Sequence, residues 1–201
     1  MITGIASKVA DFFICRNWIQ KDEYEIYRYG VEVILSFALN FCIVLICALV
    51  FGEIFYTFLF YAVFLLMRKF CGGYHADTYL RCNMIFAVNV ILVELLLKVP
   101  NEVSNHLLFL AIVSSVLLIG KFTPIVNSNK PVDSEKQRKY RKIAMGLLGI
   151  FVLLIICMFP VQRKASLSII LSLFSVAFAM LVEKIKNLKK QKKKVKRYEG
   201  I

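Results

Sequence analysis

Residues 68–82 read RKFCGGYHADTYLRC and gather one of only two histidines in the chain, two of its six cysteines and an adjacent glycine pair. A thiolate can attack a carbonyl carbon, and a nearby imidazole can take the thiol proton and return it to a leaving amine. Cys82 and His75 supply those two groups. Seven residues of straight helix would hold them about 10.5 Å apart along the axis, too far for a hydrogen bond. The spacing therefore predicts a helix break between them. Asp77 or Thr78 is suited to cap a new helix, and Gly72 and Gly73 let the preceding loop fold back toward Cys82. Cys82 would then lie near a helix N-terminus beside Arg81, with Arg68 and Lys69 close by. Positive potential of this kind favours a thiolate and can stabilise a tetrahedral oxyanion.

The residues alone leave alternatives open. Cys71, four residues before His75, is a rival nucleophile that one helical turn would bring to the same face. Cys71, His75 and Cys82 are three potential zinc ligands, but they lack a fourth ligand and a recognised spacing. A histidine and a cysteine in one loop can also be incidental.

The elements that must position this stretch are apolar. Of the 201 residues 59% are hydrophobic, and the mean hydropathy is +0.69. That places the chain in a bilayer and makes it an all-α, polytopic membrane protein. Apolar blocks cover 30–51, 54–67, 83–99, 107–120, 143–159 and 165–182, giving six candidate spans. The second and fourth are short for a crossing of about 17–25 residues, so four true spans with two re-entrant segments are the alternative. The division expected is an N-terminal segment 1–29, a catalytic membrane domain 30–182 with an active-site loop 68–82 and a basic loop 121–142, and a basic tail 183–201. Residues 1–29 carry charges throughout and lack a signal-peptide pattern. Ile2, Ile5, Val9, Phe12 and Phe13 recur at helical spacing, which predicts an amphipathic helix lying in the interface or docked on a span. The cysteines show no paired framework and are expected to be free thiols.

Basic residues set topology. Of the 26 lysines and arginines, all but Lys98, Arg163 and Lys164 fall in the N-terminal segment, in 68–81, in 121–142 and in the tail. Six crossings put these four segments on one side, so both termini are expected to be cytoplasmic. The tail's lysine run, 184–197, suits an anionic lipid surface. It abuts a span and has no interleaved aromatics, which argues against nucleic acid.

Along almost its whole length the chain resembles the AgrB family of bacterial membrane endopeptidases. The resemblance rests on a G-x-H-A-x5-C pattern, present as Gly73, His75, Ala76 and Cys82. Arg68 precedes it, and two spans later comes a proline-then-lysine-rich loop from Pro124 through Lys130 and Pro131 to RKYRK. It implies that His75 and Cys82 form a catalytic dyad, that Cys71 is not the nucleophile, and that Arg68 and Gly73 support the site. It further implies a small AgrD-like precursor peptide as substrate, with an amphipathic leader and an acidic C-terminal tail, and a homodimeric enzyme in a multi-pass position in the cell membrane. Lys130, Lys136, Arg138, Lys139 and Arg141 would receive that tail, although the same charges also serve topology. Attack by Cys82 would release the tail, and a Cys or Ser of the peptide would then close a thiolactone or lactone. That chemistry calls for no cofactor, no metal and no ATP motif.

A carboxylate within an apolar span is a functional candidate by default. Glu32 is such a residue, either orienting His75 or pairing with Arg28 at the surface. Asn40 is a possible supporting residue and Asn89 a helix-contact residue, while Glu94 and His106 lie toward the other side. The rival reading is a non-catalytic membrane component that binds or exports a peptide, for which polar residues should line one face of many spans.

Overall fold

The computed structural model describes residues 2–73, 78–99, 101, 103–125 and 134–199, with side chains to residue 189. Seven α-helices account for nearly all of them: α1 (Ile2–Cys15), α2 (Tyr24–Phe51), α3 (Ile54–Cys71), α4 (Tyr79–Lys98), α5 (Asn105–Phe122), α6 (Ser134–Met158) and α7 (Arg163–Glu199). The six from α2 to α7 are each long and apolar enough to cross a membrane. The two short apolar blocks reach 18 residues as α3 and α5. They do so by winding flanking polar residues into the helix: Arg68 and Lys69 at the end of α3, and Asn105, His106 and Lys121 at the two ends of α5. A six-crossing fold follows from counting turns of helix rather than apolar residues. The chain is a multi-pass membrane protein.

α7 is the central helix, packed against α3, α4, α5 and α6. Lipid tails are as apolar as leucine, so helix association in a bilayer depends on close packing and interhelical hydrogen bonds. The buried face of α7 suits this, with Ala165, Ser168, Ser172 and Ala177 all enclosed. Aromatic rings fill the α3–α4 seam, where Phe64 and Phe86 approach to 5.5 Å and Tyr61 and Phe86 to 5.9 Å.

The N-terminal helix forms as its periodicity predicts, and it docks on α2. Its innermost residues are Ala6 and Ala10, while Ile5 and Phe12 face outward. Small side chains allow close approach to α2 and leave the larger apolar ones toward the surroundings. All six cysteines are free thiols. The lysine-rich stretch beyond Val182 continues α7 without a break.

Candidate active site at the junction of α3 and α4

One end of the bundle brings together the C-terminus of α3, the N-terminus of α4, the end of α5 and the end of the apolar part of α7. α3 stops at Cys71 because Gly72 adopts φ +74°, and Gly73 follows at φ +142°, both in the region that favours glycine. A Cβ on Gly72 would stand 2.7 Å from the Ile125 carbonyl oxygen. That close approach is fixed by the Ile125 amide, which donates to the Cys71 carbonyl at 3.0 Å and ties the chain after α5 to the end of α3. A Cβ on Gly73 would meet the Arg68 guanidinium at 2.6 Å and Ala179 of α7 at 3.5 Å. Gly72 is therefore required by space as well as by backbone angle, and Gly73 by backbone angle.

α4 begins with Thr78 as its cap, the hydroxyl accepting from the Arg81 amide at 3.4 Å. The Cys82 amide donates to the Thr78 carbonyl at 3.1 Å, which sets Cys82 at the end of the first turn of α4. The predicted break and the capping role of Thr78 are thus both present. Cys82 is half-buried, whereas Cys71 is fully enclosed beside Thr123. The Arg68 guanidinium lies within electrostatic reach of both the Cys82 thiol and the Glu183 carboxylate, and 5.8 Å over the Phe64 ring. His75 lies outside the described residues, as does Lys130.

Glu32 is buried, 7% exposed, and its hydrogen-bonding partner is the Tyr79 hydroxyl, one turn before Cys82. Arg28 forms its salt bridge with Glu25 at 2.7 Å. One turn further along each helix, the Ser36 hydroxyl donates to Asn83 at 3.1 Å. Asn40 continues the stripe on α2, with its side-chain oxygen buried and without a hydrogen-bond partner among the described residues. Elsewhere the Ser175 hydroxyl donates to Asn89 at 3.0 Å, joining α7 to α4. In-span polar residues thus pair mainly across helix interfaces.

Lys136, Arg138, Lys139 and Arg141 are exposed along the first turns of α6. The Arg141 guanidinium reaches the Gly120 carbonyl of α5 at 3.5 Å, and Tyr140 meets Phe70 of α3 edge to face at 5.8 Å. Lys121 and Lys184 both approach the Phe122 ring. These contacts place the basic start of α6 beside the ends of α3, α5 and α7, on the same end of the bundle as Cys82. Among the described residues no group of three His, Cys, Asp or Glu side chains is arranged to hold a metal.

The residues that the sequence reading missed are Tyr79 and Glu183. Tyr79 stands three residues before Cys82, so a helix starting at 79 places both on one side. Glu183 is a lone acid at the edge of an apolar block, masked by the lysines that follow it.

A multi-pass bundle with a free thiol on the first turn of one span, within electrostatic reach of an arginine from the preceding span, defines the class: an α-helical integral membrane protein with a thiol at one end. The family model for accessory gene regulator B matches residues 6–181, and the chain belongs to that family. It is 28% identical to a protein named AgrB-like from Listeria monocytogenes serotype 4a, over 86% of this chain and 85% of the other. Proteins similarly named from Clostridium perfringens and Halalkalibacterium halodurans are each 26% identical, covering 76% and 79% of this chain and 74% and 79% of their own lengths. No solved structure matches the chain.

Proposed function

We propose that this protein is a membrane-embedded cysteine endopeptidase that removes the C-terminal tail of an AgrD-like quorum-sensing precursor through a Cys82 thioester. The observation that carries the reading is the position of Cys82: half-buried, on the first turn of α4, with the Arg68 guanidinium within electrostatic reach. Family membership supports it. A thiol in that place is reachable by a peptide at the membrane surface, and the guanidinium is placed to stabilise a developing oxyanion. The enclosure of Cys71 supports Cys82 over its rival.

In the proposed reaction the Cys82 sulfur adds to the carbonyl carbon of the bond before the tail, and His75 receives the thiol proton. The carbon–nitrogen bond then breaks, with that proton leaving on the tail's new amine. A thiol or hydroxyl within the acyl segment displaces Cys82, closing a thiolactone or lactone and restoring the enzyme. Both termini and the basic segments face the cytoplasm in this reading, and the cationic start of α6 attracts a carboxylate-rich tail. A homodimer in the bacterial cell membrane is part of the same proposal.

The test is processing of a tagged precursor in membranes, with both fragments read by mass spectrometry. Loss of tail release in Cys82→Ala and His75→Ala, but not in Cys71→Ala, supports the reading. Cleavage by all three variants at the parent rate, or co-purification of an uncut peptide with every form, would refute it and favour a binding or export role.

A further inference from the structure

Glu183 has no part in the mechanism above, yet among the described residues it is the least accessible charged group at the Cys82 end of the bundle. It is 3% exposed, and one carboxylate oxygen has no hydrogen-bond partner among the described residues. A buried carboxylate in a span is costly unless a positive charge lies near it. Arg68 is a positive charge that interacts with it. Arg68 could otherwise extend toward the polar surface, as arginines near helix ends do. Instead its guanidinium is half-buried over Phe64, presses against Gly73, and interacts with Cys82.

That guanidinium lies at the glycine turn that follows its own helix, with Cys82 on the first turn of α4 and Glu183 on α7 within electrostatic reach. Ala179, one turn before Glu183 on the same helix, closes on Gly73 from the other side. The turn leading toward His75 is thus held between Arg68 and the face of α7 that carries Glu183.

We propose that Glu183 is a positioning residue for the Cys82 site: its buried carboxylate holds the Arg68 guanidinium inward, against Gly73 and beside Cys82. This rests on the proposed endopeptidase reading for its catalytic meaning, but the placement itself can be measured without any substrate. The direction of the effect separates it from simple charge addition. If Arg68 stayed in place regardless, deleting the negative charge of Glu183 would leave Cys82 in a more positive field and make its thiol more reactive. If Glu183 holds Arg68 in place, deleting it lets the guanidinium move outward and makes the thiol less reactive.

The experiment uses the full chain in membranes. A timed pulse of N-ethylmaleimide is followed by mass-spectrometric quantification at Cys82, with exposed Cys15 as a reagent control and buried Cys71 as a monitor of bundle integrity. Glu183→Gln should slow Cys82 labelling about three- to ten-fold, toward the level of Arg68→Gln. Glu183→Asp, which withdraws the charge by one methylene, should fall between parent and Gln, and Cys71 should stay protected in both. With a precursor peptide, Glu183→Gln should lower kcat about ten-fold or more and leave KM within about two-fold. Cys82 labelling at or above the parent rate in Glu183→Gln would overturn the proposal. Should Gln expose Cys71, the Asp variant decides: slower Cys82 with Cys71 protected supports the proposal, and parent-like labelling of both overturns it. A parent that cleaves no peptide but shows this labelling order would sink the endopeptidase reading and leave the positioning role standing.

Discussion

The two ends of the helix bundle use charge in opposite ways. At the end away from Cys82, Lys164 closes on Glu53 at 2.6 Å. The Thr57 hydroxyl there donates to the fully enclosed Glu94 and lies 2.7 Å from the Glu53 carbonyl oxygen. Arg163 donates to Asn105 at 2.8 Å and to the Val103 carbonyl at 2.7 Å. Each contact fastens one helix or connection to another. At the Cys82 end the charges surround a thiol: Arg68 serves Gly73, Cys82 and Glu183 at once, and Glu32 is engaged by Tyr79 one turn from Cys82. Polar groups that pair across helices brace a membrane bundle, whereas at the Cys82 end they gather about a thiol.

The contrast is broken most severely at Cys82. Replacement by alanine should reduce tail release by more than about 1,000-fold, with unchanged resistance to thermal unfolding in detergent. Next comes the glycine turn. Gly72→Ala puts a Cβ at φ +74° against the Ile125 carbonyl, and should cost about 1–3 kcal/mol in a detergent unfolding titration while lowering tail release at least about ten-fold. The opposite end should respond in stability alone. Thr57→Val removes the hydroxyl facing Glu94 and should cost about 0.5–1.5 kcal/mol, with the rate of precursor cleavage within about two-fold of the parent. Lys164→Ala should have the smallest effect, under about 1 kcal/mol, because that pair is partly exposed. A loss of cleavage in Thr57→Val as large as that in Gly72→Ala would erase the distinction between the two ends.

Much of the fold was legible in the sequence because a bilayer leaves few choices. Backbone polar groups must be satisfied within each span, so a run of apolar residues becomes a helix. Even the short blocks 54–67 and 107–120 became spans, by recruiting the polar residues beside them. The break between His75 and Cys82 was legible for a similar reason, since Gly72, Gly73 and Thr78 each carry a local backbone preference that neighbours need not supply. The role of Glu32 was less so. Its partner among the described residues is Tyr79, reached only because α2 and α4 lie side by side. Glu183 leaves little signal in the sequence, because it borders the apolar block ending at 182 and nine basic residues follow it.

The sequence by itself determined the six apolar blocks, the helix break, the free thiols and the clustering of basic residues in four segments. These depend on composition and on contacts within a few residues. Only the tertiary structure decided that α7 runs through the centre, that Cys71 is enclosed while Cys82 is not, and that Arg68 is within electrostatic reach of both Cys82 and Glu183. Which face of a span meets protein rather than lipid leaves little trace in an apolar helix, because both surroundings accept the same side chains.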